Sequence, residues 1–564
     1  MPQASDALKS LCDRYWAFLR QEFPFNALMA GDPPEGATLF RESPADYDRR
    51  AIQAAELLSE AKAIDAHALA REEINTLQLL ERELHDVCEA HRTLSHLRPW
   101  LLPVGPEFNT IYFAQTSAIS SAQDAELYAA RLAELPRYFS DIHACLQMGH
   151  DRGLRHPRVV LEAAIANLRR NAAAPHDQLP WMMPLDRASG VPSAGLSTLK
   201  ESALDSIVQG ILPAIRALAD FMEQTLLATA RESVACQDNP LGVEYYAFWT
   251  RHFTTIELTP EQIHELGLSE VARVESEIAG VARDAGFGSD VAAYRQHLRT
   301  SPDFHLASAE SLRQHVEALA KRIDGLIPRI VGHVPRITYG VQSIPAGASL
   351  KLPVAYAQPN PADRSSPGTF WVNGLPDRVP TYGLPSITLH EAWPGHLMHI
   401  ALMQEMDRLP MFRRANFTKY TACLEGWAMY CEWLGIELGL YGTPHEHFGR
   451  LDMEMWRACR LVVDTGIHLK GWSRSQAIEY MVERLTLSPD AVEAEVDRYI
   501  AMPAQALGYL VGGLKFRELR DRAQQRLGSR FRMREFHDHL MATGAVTLPL
   551  LEESVNDWLS AHAA

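Results

Sequence analysis

The chain has no excess of positive charge, no long apolar run and too few cysteines for a disulfide scaffold. Lys and Arg number 54 against 70 Asp and Glu, a formal net charge of −16. That balance opposes nonspecific attachment to nucleic acid or to an anionic lipid surface, so neither is expected as a partner. No stretch approaches the roughly 18 uninterrupted apolar residues of a membrane span. The start, Met1-Pro2-Gln3-Ala4-Ser5-Asp6, carries neither a cationic n-region nor an apolar h-region. Seven cysteines, Cys12, Cys88, Cys145, Cys236, Cys423, Cys431 and Cys459, are scattered and form no CxxC. A zinc ribbon is thereby excluded, and a reducing cytoplasm is the expected compartment. Internal repeats and low-complexity segments are also missing. Gly286-Phe287-Gly288-Ser289 reads as a helix end and turn, because a phosphate loop would need a lysine and a preceding strand.

What is present is a long, mostly helical pattern. Of the 564 residues 47% are apolar, enough for a sizeable core. Leu8, Leu11, Tyr15, Trp16 and Leu19 recur at helical spacing over 6–22, behind Asp6 as a cap. Similar patterns predict helices over 52–68, 72–94, 124–149, 199–229, 259–286 and 308–330, with Pro136 bending or breaking the segment 124–149. Texture changes between His333 and Pro385, where prolines recur among glycines. Short β-prone runs at 336–339, 353–356 and 369–372 predict a small irregular sheet. The expected fold is mainly α, divided into a helical part at 1–332 and a chemistry-bearing part at 333–564, as one continuous body.

The informative segment is Ser386-Ile387-Thr388-Leu389-His390-Glu391-Ala392-Trp393-Pro394-Gly395-His396-Leu397-Met398-His399. Ser386 is a suitable helix cap one turn before His390-Glu391. In HExxH the two histidines stand at i and i+4, about 40° apart on one helical face. Both then reach one Zn²⁺, with the glutamate beside the metal-bound water. Here the second histidine comes at i+6, about 600° round an ideal helix, and would face away. Pro394 cannot donate to the His390 carbonyl, and Gly395 permits an unusual backbone course. If the Pro-Gly pair loops out, His396 returns to the i+4 place. His399 competes as ligand, since it shares a face with His396. The pair His390 and His396 is preferred because it brings Glu391 to the metal.

The third ligand is expected from a later helix. Glu425, in Cys423-Leu424-Glu425-Gly426-Trp427-Ala428-Met429-Tyr430-Cys431-Glu432, sits in an apolar run where a carboxylate without a partner is expensive to bury. Gly426 allows a close helix approach, and Glu432, on nearly the same face, is placed to support a ligand histidine. Further on, Arg457, Arg460, Asp464 and His468 form a polar stripe at i, i+3, i+7 and i+11. A salt-bridged helix face is the plain account of it. The functional account has an arginine holding a substrate carboxylate and His468 donating to an oxyanion. Arg498, Gln505 and Tyr509 share a face in the same way, and Tyr499 or Tyr509 offers a phenol to a tetrahedral intermediate. Trp393, Trp427 and Trp472 read as core or cleft lining.

The pair HEAWPGH and LEGWAMYCE, with 457–468, Gly471-Trp472 and 497–509, resembles the domain of unknown function 885 family, bacterial proteins similar to zinc-dependent carboxypeptidases. The resemblance implies a helical, metallopeptidase-like fold with a deep cleft. It also implies a gluzincin-type site in which His390, His396 and Glu425 match the ligands and Glu391 the general base. Two departures bear on the pocket. Ala504 follows the late proline where the family commonly has glycine, and Leu397, Met398 and His399 replace the usual residues after the second histidine.

The expectation is therefore a zinc-dependent hydrolase of an amide or peptide bond in a small peptide or carboxylate-bearing metabolite. Zn²⁺ is expected ahead of Fe²⁺ or Mn²⁺. Catalysis falls to Glu391, His468 and Tyr509, and substrate binding to Arg457, Arg460, Arg498, Tyr499 and Gln505. A homodimer is compatible with the chain. The rival accounts are a metalloenzyme of a biosynthetic pathway with other chemistry, iron-dependent chemistry among it, and a noncatalytic helical metal-binding protein.

Overall fold

The structure, a computed structural model, describes residues 2–34, 36–344, 353–362, 364–415 and 417–563. Part of the expected β insert, 345–352, lies outside the described residues. The rest is mainly helical, with one three-stranded sheet. Two compact units divide the chain: Met1–Phe248 with Ala494–Pro503, and Trp249–Glu493 with Ala504–Ala564. The division thus falls some way before the expected boundary at 332. The cause is packing: helix α1 (Pro260–Asp284) runs along the later helix Pro444–Lys470, not with the N-terminal helices. At their crossing a Cβ on Gly267 would stand 2.7 Å from the Leu461 Cβ, so only glycine lets them close. Among the described residues no helix is long and apolar enough to cross a membrane, and none of the seven cysteines forms a disulfide.

In the first unit Pro136 does not break its helix, which runs unbroken over Ala122–Asp151. A proline in a helix interior costs about 3 kcal/mol. Burying Leu132, Leu135 and Phe139 on the same helix returns about 1.5–3 kcal/mol each. The neighbouring helical run from Ser193 contains π-helical turns at Ser206–Ile211 and Met222–Leu226. Gly210, in the first of these, has no room for a side chain, since its Cβ would come within 2.9 Å of the Pro136 ring.

The same unit buries Glu107 in the first turn of the helix Pro106–Thr116, where burial pushes its carboxyl up to about 7. Such a group stays protonated in the folded chain while the unfolded chain ionises from about pH 4.5. Stability is therefore lost as pH rises from about 4.5 to 7, by about 3 kcal/mol in all. Glu107→Gln is expected to match the wild type at pH 4 and exceed it by up to that amount at pH 8. Urea unfolding at the two pH values measures this; a difference at pH 8 no larger than at pH 4 contradicts it.

In the second unit the sheet has the order β1-β3-β2, built from β1 (Tyr339–Ser343), β2 (Ala355–Gln358) and β3 (Gly368–Val372). β1 runs parallel to β3 and β2 antiparallel to it. The first strand starts where the expected run 336–339 ends, because pairing sets buried Val341 opposite buried Phe370. After the sheet come α2 (Leu384–Glu391), α3 (His396–Gln404), α4 (Thr421–Leu434), α5 (Pro444–Lys470) and α6 (Gly508–Leu527). A capping box of Thr443 and Glu446 opens α5, and Gly471 closes it at φ +70°. Helices α4 and α6 touch backbone to backbone at Gly426 and Gly512. A Cβ on Gly512 would stand 1.9 Å from the Ala422 carbonyl oxygen. That contact lies beside Glu425.

Candidate metal centre

Ser386 is not the cap of α2. The helix starts two residues earlier, with Gly383 before it and Pro385 in its first turn, which suits a proline's fixed φ and missing N–H. Ser386 Oγ instead donates to Glu432 Oε2 at 2.7 Å. The helix ends at Glu391, where Ala392 turns out at ψ −135°, and Trp393, Pro394 and Gly395 carry the chain across a break. A new helix then starts at His396. The Trp427 indole N–H donates to the Pro394 carbonyl at 2.8 Å and ties the break to α4. At Gly395 any Cβ would lie 1.9 Å from the His390 carbonyl oxygen. The second histidine is thus delivered from the start of a separate helix, and its ring centroid lies 4.7 Å from that of His390.

His390 and His396 both turn Nε2 to Glu425 Oε2, at 3.4 and 3.2 Å. One ligand-type atom from each of the three residues lies within 4.8 Å of the others. Zinc bonds of about 2.0–2.1 Å in a tetrahedron require ligand atoms about 3.3 Å apart, which the two histidine–Glu425 separations match. The approaches to Glu425 are close but not directed as hydrogen bonds, and Glu425 Oε2 has no hydrogen-bond partner among the described residues. His390 Nδ1 is already engaged by Glu432 Oε1 at 2.7 Å, which leaves Nε2 to face the carboxylate with either a proton or a cation between them. The residues present fit a divalent metal ion. His399, the competing ligand, is not part of this group. It lies buried near Trp427, with neither ring nitrogen hydrogen-bonded among the described residues, and burial pushes it down to about 3.

The electrostatics follow from the same contacts. Burial works against a charged His390, yet Glu425 and Glu432 carry its pKa up to about 9. Glu425 resists burial and is held well below the usual carboxylate range by His396 and His390. Glu391 is raised by burial, with the neighbouring histidines and a hydrogen bond from the Ala357 N–H of β2 acting against it. Glu432 is lowered: burial raises it, but Arg457, His390 and Ser386 together outweigh that.

The remaining residues singled out in the sequence fall into three places. Arg457 is buried on α5 with Nη2 3.4 Å from Glu432 Oε1. Arg460, one turn on, lies between the Trp456 and Tyr509 rings at 4.5 Å from each centroid. Asp464 and His468 are fully buried further along α5, and Asp464 accepts the Ala504 N–H with both oxygens at 3.1 Å. Ala504 takes φ +69°, so a position suited to glycine is held open by this bond, and Gln505 follows it directly. Arg498 and Tyr499 belong to the first unit, where both bond to Glu495. Gly426 makes the close helix approach expected of it, while the Ser386 hydroxyl, the Arg457 contact and the partner glycine Gly512 were not legible beforehand. The adjacent pair Gly512-Gly513 was the available signal for the last.

A small cavity of about 20 Å³, room for about one water molecule, is lined by Glu432 with Met429, Trp433, Arg450, Glu454 and Leu510 among others. It touches Glu432 but none of the three ligands, so it is not the space in which a metal-bound substrate would sit.

Residues 24–555 match the model of a family described as "Bacterial protein of unknown function (DUF885)". The chain belongs to that family. The DUF885 chain is also similar to a solved structure from Colwellia psychrerythraea, described as a candidate lipoprotein. The two are 28% identical over 99% of this chain and 100% of the other, with a TM-score of 0.93. A candidate lipoprotein of unknown function from Shewanella oneidensis shares the fold, with a TM-score of 0.71 and 18% identity over 97% and 99% of the two chains. No curated protein matches the chain.

Proposed function

We propose that this DUF885 protein is a zinc-dependent hydrolase of amide or peptide bonds in small peptides or carboxylate-bearing metabolites. The observation that carries the reading is the convergence of His390, His396 and Glu425 at tetrahedral spacing, with Glu391 next to His390 in sequence and buried beside them. A zinc ion held there supplies Lewis-acid polarisation of a carbonyl and a more acidic bound water. Glu391 takes a proton from the attacking water on its carboxylate and hands it to the leaving amine. Burial, which raises its pKa, suits a group that must both accept and release a proton. Glu432, through His390 Nδ1, fixes the direction of one ligand.

For recognition, Arg460 is the chosen receptor for a substrate carboxylate, because its guanidinium lies over the Trp456 and Tyr509 rings, which position it. Tyr509, on the other side of that stack, is the candidate phenol for the oxyanion, with His468 as the alternative donor and Gln505 as a further contact. β2 pairs only with β3 among the described residues, so its other edge, where Ala357 faces Glu391, is suited to a substrate backbone lying in a deep cleft. The same two-histidine, one-carboxylate set suits Fe²⁺, which keeps oxidative chemistry as the second reading. The enzyme is assigned to the cytoplasm on its scattered, undisulfided cysteines. The lipoprotein descriptions of the two solved neighbours point instead to the cell envelope, and fractionation of the native host separates the two.

Metal analysis of protein made without a histidine tag tests the central claim. About one zinc per chain is expected in the wild type, and none in His390→Ala or Glu425→Ala folded to the same extent. N-acyl amino acids and short peptides are then the substrates to screen. Iron in place of zinc would favour the second reading, and no metal even after zinc is supplied would break the proposal.

A further inference from the structure

Arg457 has the composition of a substrate-binding arginine but not the position of one. Its side chain is only 4% exposed, and so is that of Glu432, the carboxylate it meets. Nη1 is spent on its own helix, donating to the Met453 carbonyl at 3.2 Å, while Nη2 reaches Glu432 Oε1. That same oxygen takes the His390 Nδ1 contact, and Ser386 secures the other oxygen. Arg450 and Glu454 line a small cavity beside Glu432 that has room for about one water molecule. Arg450 and Glu454 are paired with each other and offer Glu432 no replacement anchor.

We infer that Arg457 is a positioning residue, bracing Glu432 so that Glu432 in turn holds His390 in the orientation a metal ion needs. The inference rests on the metal-centre reading given above and extends it to a third layer of side chains. It also removes Arg457 from the substrate contacts, because its guanidinium is already committed to Met453 and Glu432. The order of the contacts is α5 to α4 to α2, so a residue on a distant helix governs the first ligand without touching the metal. The charges agree with this arrangement. Glu391, Glu425 and Glu432 are three largely buried carboxylates, Arg457 supplies one compensating charge, and a divalent cation supplies the remainder.

The test is competition of zinc against a chromophoric chelator. It uses apoprotein of the wild type, Arg457→Met, Arg457→Lys, Glu432→Gln, and the double variant that combines Arg457→Met with Glu432→Gln. Loss of a partner behind a ligand histidine typically weakens metal binding about 10–100-fold. Arg457→Met is expected to weaken zinc about tenfold and Arg457→Lys less, since the ammonium keeps a charge and a donor near Glu432. Glu432→Gln should weaken zinc by at least as much as Arg457→Met, and adding Arg457→Met to it should bring no further loss. The Co²⁺ absorption spectrum should change in Arg457→Met, a signature that loss of helix packing alone would not produce. Zinc binding equal to wild type in Arg457→Met, or full additivity in the double variant, overturns the inference. If Arg457→Met does not fold, Arg457→Gln takes its place under the same criteria. A wild type that binds no zinc is visible in the first titration and removes the metal-centre reading itself, and this inference with it.

Discussion

Glu391→Gln is expected to keep zinc bound while turnover falls about 10²–10⁴-fold, the usual contribution of a positioned general base. Glu391 is not among the three converging ligand residues, so its amide analogue leaves His390, His396 and Glu425 in place. The amide can still accept the Ala357 N–H but cannot take a proton from water. Stability should fall little, because the substitution removes a carboxylate that burial already disfavours. Metal analysis and turnover on the best peptide or N-acyl substrate measure the two effects separately. Retained activity with retained zinc would remove Glu391 from the mechanism. Loss of zinc together with activity would make it a ligand rather than a base.

The second large effect is expected from Gly395→Ala. A Cβ there would stand 1.9 Å from the His390 carbonyl oxygen and 2.4 Å from that of Leu389, both backbone atoms that no rotamer change can move. The break between α2 and α3 must widen, and His396, the next residue, is carried away from Glu425. The entropy gain of replacing a glycine, about 0.4–1 kcal/mol, is too small to offset overpacking of about 1–3 kcal/mol. Zinc affinity is expected to fall about 10–100-fold, as for loss of a ligand's support, with a lower melting temperature. Titration and thermal unfolding check this, and a variant with wild-type affinity would show that the tight backbone crossing is not what places His396.

These two sites illustrate what could be read from the chain and what could not. His390, Glu391 and His396 are close in sequence, and the conflict between i+6 spacing and one helical face had a local remedy in Pro394-Gly395. The remedy is not a bulge inside one helix, as the spacing suggested, but a break that starts a second helix at His396. Glu425 was recognisable because a carboxylate in an apolar helix needs a partner. The three β runs were placed within a few residues, the first being displaced by its pairing with β3. Of the two outcomes expected at Pro136 the break does not occur, because the local penalty is outweighed by burial that only the packed helix reveals.

Arg457 and Ser386 mark the limit. Both were visible as polar residues, but one looked like a substrate contact and the other like a helix cap. Both in fact meet Glu432, each from a different helix, and Ser386 does so across 46 positions of sequence. Local sequence determined the ligand types, their order and the break that separates them, since those depend on backbone chemistry between near neighbours. Local sequence also marked Glu432 as a carboxylate behind a ligand histidine; the tertiary structure alone decided that this histidine is His390 and that Arg457 is the cation beside the pair. That choice depends on how α2, α4 and α5 pack against one another, and those contacts join segments far apart in sequence.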